Sequence, residues 1–220
     1  MKKYRYFLIP SIILTIFVIW TILVKFVDVH YIEDVGSLGF YTFNTGLNEK
    51  IQSLNTTLFH AISNVLLFVS FATIIPFAAM GLVQLIIRKS FKKVDRVIYL
   101  ILISYVLMVI MYVLFELIKI NYSPLSVKDD LHASYPSSHA FIFITILGTN
   151  LFGLFYYVKM NKTAKICAFC AVIALFFLML ITRLLSGHHY FTDIVGALFL
   201  SISLLSIFDA LTRLLLVEKD

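Results

Sequence analysis

The sequence predicts an all-α integral membrane protein, a bundle of six transmembrane helices with a further outward-facing helix at the membrane interface after the first span. Of its 220 residues, 61% are hydrophobic and 14% are charged, and the mean hydropathy is +0.97. Soluble domains are about half apolar and a quarter charged, so a soluble protein is excluded. Several apolar runs reach the roughly 20 residues that cross a bilayer as a helix. None alternates as the strands of an outer-membrane barrel do.

Six apolar runs define the predicted spans. They cover residues 7–27, 61–87, 97–120, 138–158, 164–184 and 191–212. The first run is too long for the hydrophobic part of a signal peptide, and no small-residue cleavage site follows it, so we interpret it as a retained anchor. Because the sequence contains no internal repeat and no soluble segment of domain size, we predict one transmembrane domain over residues 1–220.

The basic residues predict the orientation of the bundle. Thirteen of the 18 Lys and Arg residues lie before the first span, between the second and third, between the fourth and fifth, or after the sixth. Cytoplasmic loops carry such an excess, so both termini should be cytoplasmic, and segments 28–60, 121–137 and 185–190 should face outward from the cell membrane. The net charge of +6 then reflects topology and attraction to anionic lipid. We expect membrane lipids as partners and no nucleic acid; nothing in the sequence indicates an oligomeric state.

The outward segment after the first span has its own helical pattern. Apolar residues recur at helical spacing over residues 47–58, with polar residues between them. This pattern predicts a helix that lies along the outer interface and braces the bundle; a lid over a substrate is the alternative. His30 and His60, in or beside this segment, are expected at the interface without a ligand role.

The loop before the fourth span contains PSSH at residues 136–139. Pro136 stops any preceding helix, Ser137 and Ser138 are favoured N-cap residues, and His139 falls in the first turn. The free backbone N–H groups and the positive end of the helix dipole form an anion-binding site there. The serine hydroxyls and the imidazole are predicted to surround that anion.

The loop before the sixth span contains GHHYFTD. If the sixth helix begins near His189, Asp193 shares its face, and the carboxylate accepts a hydrogen bond from Nδ1–H of the imidazole. Nε2 is then free to act as a nucleophile or a base. His188 is a weaker candidate because Thr192, not a carboxylate, lies four residues later. Arg183 brings a planar, permanently charged fork suited to phosphate oxygens.

The predicted topology places both loops on the outer side, where they can form one site. An anion-binding helix terminus, an oriented imidazole and a guanidinium together suit phosphoryl transfer, because positioning and charge neutralisation supply most of that catalysis. In this hypothesis His189 attacks phosphorus and His139 protonates the leaving oxygen.

These loops resemble the motifs of a known family. PSSH is similar to Pro-Ser-Gly-His, and Arg183, His189 and Asp193 match Arg-x5-His-x3-Asp of the type-2 phosphatidic acid phosphatase superfamily. The resemblance implies hydrolysis of lipid phosphates or pyrophosphates through a phosphohistidine, without a metal or other cofactor. It also implies a role for each matching residue: His189 as nucleophile, Asp193 as its orienting partner, His139 as general acid, and Arg183 with Ser137 and the Gly-replacing Ser138 around the phosphate.

The sequence departs from the family in its first motif, Lys-x6-Arg-Pro. Lys119 matches and is predicted to bind phosphate, with an ion pair to Glu116 as the alternative. Ser126 and Val127 stand where Arg and Pro are expected, so one cation is missing unless the lysine at position 128 replaces it. Losing one such contact costs about 2 to 4 kcal/mol of transition-state stabilisation, or roughly 30- to 1000-fold in rate.

The predicted function is a lipid phosphatase acting at the outer face. Undecaprenyl pyrophosphate, phosphatidylglycerol phosphate and phosphatidic acid all fit, and the family resemblance with the compact size favours prenyl pyrophosphate recycling in a bacterium. Two alternatives remain. One is a transferase in which a lipid or sugar hydroxyl captures the phosphohistidine. The other is a non-catalytic lipid-phosphate binder or transporter, which the altered first motif favours.

Overall fold

A computed structural model describes residues 3–32, 35–52, 54, 56–127 and 130–217. Two short antiparallel strands, β1 (His30–Ile32) and β2 (Gly36–Leu38), form a hairpin after the first helix. The α-helices are α1 (Leu8–Phe26), α2 (Tyr41–Gln52), α3 (Thr56–Ala72), α4 (Ile74–Arg88), α5 (Arg96–Ile118), α6 (Ser138–Tyr157), α7 (Lys162–Leu185) and α8 (Phe191–Val217).

The prediction of an all-α bundle with six spans is confirmed. By length and composition, the described residues contain six helical stretches able to cross a membrane: Arg5–Phe26, Thr56–Arg88, Arg96–Ile118, Ser138–Tyr157, Lys162–Leu185 and Phe191–Leu215. The predicted boundaries agree to within five residues at every end. The orientation of the bundle stays a prediction from the basic residues.

The second span consists of two helices, α3 and α4, which meet at Thr73. Pro76 lies in the first turn of α4. A proline ring clashes with the carbonyl four residues earlier and offers no N–H, which explains why α3 ends at Ala72. At this interruption, the Thr73 hydroxyl accepts a hydrogen bond from Nδ2 of Asn150 on α6 at 2.7 Å. A polar side chain is thereby satisfied among the spans.

The outer segment differs from the single helix predicted over residues 47–58. Helix α2 ends at Gln52 and α3 begins at Thr56, so the apolar pattern is divided between two helices. Threonines such as Thr56 and Thr57 favour a helix start over a helix interior. Helix α2 packs through Asn44 and Ile51, which are buried. Its position along the outer membrane surface stays a prediction.

Helix α6 lies at the centre of the bundle and packs against α3, α5, α7 and α8. The loop before it is anchored by Tyr135, whose ring is buried and whose hydroxyl bonds to Oγ1 of Thr21 on α1 at 2.7 Å. The ring rests on α8 at Gly196, where a Cβ would lie 2.4 Å from Cε2 of Tyr135. A side chain at Gly196 would therefore push this loop away from α8. This contact helps to fix the PSSH segment against the start of α8.

Candidate active site

Two pairs of helices bring the candidate residues together at one end of the bundle. We call the loop from residue 119 to 137 and the start of α6 the α5–α6 wall. The end of α7, residues 186–190 and the start of α8 form the α7–α8 wall. Between the two walls is a cavity of about 380 Å³. Its lining includes Ser138 and His132 from the first wall, and Arg183, His188 and His189 from the second.

His189 is held at both ring nitrogens. Nε2 lies 3.0 Å from Nη2 of Arg183, and Nδ1 lies 2.9 Å from the carbonyl oxygen of Ser134. A guanidinium only donates hydrogen bonds, so Nε2 accepts and carries a lone pair, while Nδ1–H donates to Ser134. The tautomer expected for a nucleophile is thus specified by its neighbours. The side chain is 6% exposed.

Asp193 does not contact His189 in the way that the sequence predicted. Its Oδ2 accepts the backbone N–H of Tyr190 at 2.9 Å and its Oδ1 accepts Nδ2 of Asn121 at 3.1 Å. Helix α8 begins at Phe191, so His189 precedes the helix and the side-by-side geometry of residues four apart in a helix does not apply. The predicted hydrogen bond from Nδ1 of His189 to this carboxylate is therefore wrong; Ser134 takes that place.

Asp193 instead joins the two walls. Its carboxylate caps the start of α8 and binds Asn121 of the α5–α6 wall, and its backbone carbonyl accepts N–H of Ser137 at 3.1 Å. The side chain is fully buried. Asn121 also reaches the outer segment, because its Oδ1 accepts N–H of Gly39 at 3.1 Å. Asp193 therefore acts on His189 indirectly, through the backbone and the wall that it holds in place.

Burial and neighbouring groups keep His189 neutral. Burial lowers the pKa of His189 well below its usual value, and the positive charge of Arg183 and the nearby His139 lower it further; the bond to Ser134 opposes them. Burial also lowers the pKa of His188. A group with a depressed pKa of this kind is unprotonated at neutral pH. His189 therefore presents a lone pair and not a proton.

Arg183 is a buried cation that faces the cavity without an acidic partner. Its side chain is 4% exposed, and none of the ion pairs formed among the described residues includes it. Nη2 donates to His189, Nη1 lies 3.2 Å from Nδ1 of His60, and Nε is buried with no hydrogen-bond partner among the described residues. A buried charge without a counter-ion is costly, so the site is suited to an anionic guest.

His60, which was expected at the interface without a role, touches this arginine. It lies in the first turns of α3, and its ring stacks on His188 with centroids 4.1 Å apart and planes 12° apart. Nδ1 of His188 lies 2.9 Å from the carbonyl oxygen of Ser186, two residues earlier. Helical periodicity cannot predict these contacts, because His60 on α3 and Arg183 on α7 are 123 residues apart in the sequence.

The PSSH segment places its polar groups at the start of α6. Ser137 is the N-cap residue, but its hydroxyl makes no capping bond and is buried without a partner among the described residues. Ser138 lines the cavity. His139 is half-buried in the first turn and close enough to His189 to influence its pKa. A free hydroxyl and a helix N-terminus beside a buried guanidinium form an anion-binding arrangement.

Comparisons with known proteins show a family and a fold that this chain resembles. Residues 116–213 match the model of the PAP2 superfamily. The resemblance to that superfamily is confirmed. The fold is also similar to the crystal structure of the first transmembrane PAP2-type phosphatidylglycerolphosphate phosphatase from Bacillus subtilis, with a TM-score of 0.64 and 16% identity over 93% of this chain and 94% of that one. No curated protein matches the sequence.

The PAP2 match includes the altered first motif. Lys119 ends α5 in a left-handed conformation, at φ 47°, and is not among the residues that line the cavity. The Ser126 hydroxyl lies 3.2 Å from N of His132 and 3.3 Å from its carbonyl oxygen, so it closes the loop. Val127 is exposed, and the lysine at position 128 lies outside the described residues. Phosphate binding by Lys119 stays a prediction.

The mouth of the cavity carries one exposed side-chain contact that the sequence did not assign to the site. Nε2 of His132 lies 2.9 Å from Oδ1 of Asp130, and both side chains are largely exposed. Both residues line the cavity. Among the described residues, no three His, Cys, Asp or Glu side chains converge as metal ligands would. The independence from metal that the resemblance implies stays a prediction.

Proposed function

We propose that this protein is a membrane lipid phosphatase that forms a phosphohistidine on His189. One observation carries the proposal. The Nε2 lone pair of a buried, neutral His189 meets the guanidinium of Arg183, which has no acidic partner among the described residues, beside the start of α6. A nucleophile and a phosphate-binding cation are thus adjacent in one cavity. The PAP2 match over residues 116–213 supports the same chemistry.

The reaction starts when the phosphate enters between the walls. Its oxygens take hydrogen bonds from Arg183 and from the N-terminus of α6. Nη2 of Arg183 then turns from Nε2 of His189 to a phosphate oxygen, and Nε2 attacks phosphorus. His139 takes up a proton from water when the phosphate anion binds beside it, because the negative charge favours the imidazolium. The bond from phosphorus to the leaving oxygen breaks, and His139 gives that oxygen its proton.

Hydrolysis of the phosphohistidine completes the cycle. Neutral His139 accepts a proton from water, and the resulting hydroxide oxygen bonds to phosphorus as the bond from phosphorus to Nε2 breaks. Inorganic phosphate leaves and His189 regains its lone pair. His139 releases the proton to water as the phosphate leaves, so the groups return to their starting state.

The substrate class is a lipid phosphate or pyrophosphate of the outer leaflet. The six-span architecture suits a substrate whose acyl or prenyl chain stays among lipids while the headgroup reaches the cavity. The similar structure from Bacillus subtilis is named for a phosphatidylglycerolphosphate phosphatase, which favours a glycerophospholipid phosphate beside undecaprenyl pyrophosphate. The excess of Lys and Arg on one side supports an outer-facing site.

A phosphate-release assay in detergent tests the proposal. The substrates are undecaprenyl pyrophosphate, phosphatidylglycerol phosphate and phosphatidic acid, each with excess chelator. We expect turnover by the wild type and a loss of at least about 10,000-fold in kcat for His189→Ala, since removing a nucleophile costs up to about a millionfold. His188→Ala is the matched variant and should keep measurable turnover. Loss in His188→Ala with activity retained in His189→Ala would reverse the assignment.

The alternatives predict other outcomes in the same assay. A phosphotransferase would consume the lipid phosphate but release free phosphate only slowly until an acceptor alcohol is added. A non-catalytic binder, which Ser126 and Val127 in place of Arg and Pro favour, would release none. Turnover only with an added divalent ion would contradict the proposed mechanism.

A further inference from the structure

His60 lies just behind the arginine that faces the cavity. Nη1 of Arg183 lies 3.2 Å from Nδ1 of His60. Because the guanidinium only donates, Nδ1 accepts, and the proton of the neutral ring is on Nε2. That nitrogen lies 3.0 Å from Nδ2 of Asn64; since Nδ2 only donates, the proton on Nε2 is accepted only when the amide turns its oxygen toward the ring. One face of the ring stacks on His188. His60 is therefore restrained by the bond at Nδ1 and by stacking on one face.

The guanidinium is consequently held between two imidazoles. Nη1 binds His60 on α3, and Nη2 binds His189 on the loop before α8. When phosphate arrives, the bond to His189 has to be released, because Nε2 is the attacking atom of the proposed reaction. The bond to His60 need not break. It is the contact that holds the guanidinium plane while a phosphate oxygen replaces Nε2 of His189 as the acceptor of Nη2.

We propose that His60 is a positioning residue for Arg183, an inference that rests on the proposed function. His60 is not among the residues that line the cavity and acts through the guanidinium. Position 126, where the family motif has an arginine, is a serine. Among the described residues that line the cavity, Arg183 is the one arginine, and no lysine is present. The accuracy of its placement therefore decides how well a phosphate is held.

Two substitutions at position 60 separate positioning from packing. His60→Phe keeps a ring that can stack on His188 but cannot accept a hydrogen bond, so Nη1 of Arg183 loses its partner. His60→Asn loses the stacking ring but places an amide oxygen near the position of Nδ1. We expect kcat/KM for phosphate release to fall about 10- to 100-fold in His60→Phe, as loss of a hydrogen bond to a charged group costs. His60→Asn should stay within about threefold of the wild type.

A matched control comes from the other stacked histidine of the outer segment. His30 stacks on Tyr41 with centroids 4.3 Å apart and is exposed. His30→Phe should leave kcat/KM unchanged. The melting temperature of each variant in detergent shows whether it is folded.

The His60→Phe substitution made in the Arg183→Lys variant tests whether His60 acts through the arginine. A lysine at position 183 cannot bridge both imidazoles, so His60→Phe should add less than about threefold to the loss caused by Arg183→Lys. Full additivity of the two losses would show that His60 acts independently of Arg183. Equal activity of His60→Phe and the wild type would also overturn the inference.

Binding of orthovanadate, followed by the shift in melting temperature, gives a readout that does not need turnover. We expect about 10-fold weaker binding by His60→Phe and near wild-type binding by His60→Asn. If the wild type releases no phosphate but binds orthovanadate with this pattern, the proposed reaction fails and the role of His60 stands. If the wild type releases phosphate and binds orthovanadate no more tightly than His60→Phe and His60→Asn do, the proposed reaction stands and the role of His60 is overturned. Absence of both turnover and binding overturns both.

Discussion

The two walls of the cavity contribute different kinds of groups. The α7–α8 wall supplies side chains: Arg183, and His189 with its lone pair. The α5–α6 wall orients them largely through backbone atoms, such as the Ser134 carbonyl that fixes the tautomer of His189 and the Ser137 N–H that bonds to Asp193. The cation and the nucleophile are thus on one side, and the other side contributes the proposed acid His139 within a frame of backbone atoms. Substitutions on the two walls should accordingly differ in size and in kind.

After loss of the nucleophile His189, the largest effect is expected from the cation of the α7–α8 wall. Arg183→Lys keeps the charge but loses the planar fork, so kcat/KM for phosphate release should fall by about 100- to 1000-fold. Lys119→Ala, in the α5–α6 wall, is the matched variant, and we expect a loss below about fivefold because Lys119 does not line the cavity. Equal losses in both variants would remove the contrast between the walls.

A smaller effect is expected from the residue that joins the walls. Asp193→Asn keeps a side chain suited to a helix N-terminus but loses one of the two accepting oxygens. We expect a lower melting temperature and a loss in kcat below about 10-fold. A carboxylate that orients a catalytic imidazole directly would instead cost about 10,000-fold when changed to its amide. Measured kcat therefore distinguishes the observed geometry from the one predicted by sequence.

The sequence predicted the parts of the molecule that depend on local pattern. Six spans follow from runs of apolar residues, and the PSSH and Arg183-to-Asp193 segments follow from motif spacing. The partner of His189 could not be predicted, because it is a backbone carbonyl of Ser134, 55 residues away. The contact of His60 with Arg183 could not be predicted either, because these side chains are 123 residues apart in the sequence. The assumption that α8 begins near His189 failed because the helix begins at Phe191.

The pH dependence of stability should reveal the lowered pKa of His189 in the α7–α8 wall. Burial lowers the pKa of His189 in the folded protein, so below a pH of about 6.5 the unfolded chain binds a proton that the folded one does not. Stability should fall as pH falls, by up to about 1.4 kcal/mol per pH unit for this one group. Melting temperatures at pH 7.5, 6.5 and 5.5 measure it, and His189→Gln should flatten the decline. Equal declines in the wild type and in His189→Gln would contradict the assigned neutral state.

The smallest effect is expected at the mouth, where Asp130 of the α5–α6 wall adds a negative charge beside the entrance. Its pair with His132 is exposed, and exposed pairs contribute about 0 to 1 kcal/mol, so Asp130→Asn should leave the fold intact. Removing the charge should speed the entry of an anionic headgroup, raising kcat/KM up to about threefold at low ionic strength and less at high salt. Asp209→Asn is the matched control, because Asp209 also forms an exposed pair, with Arg213 at 2.7 Å, but lies outside the lining of this cavity. The same salt-dependent gain in both variants would mean that Asp130 acts through the net charge of the protein and not through its place at the entrance.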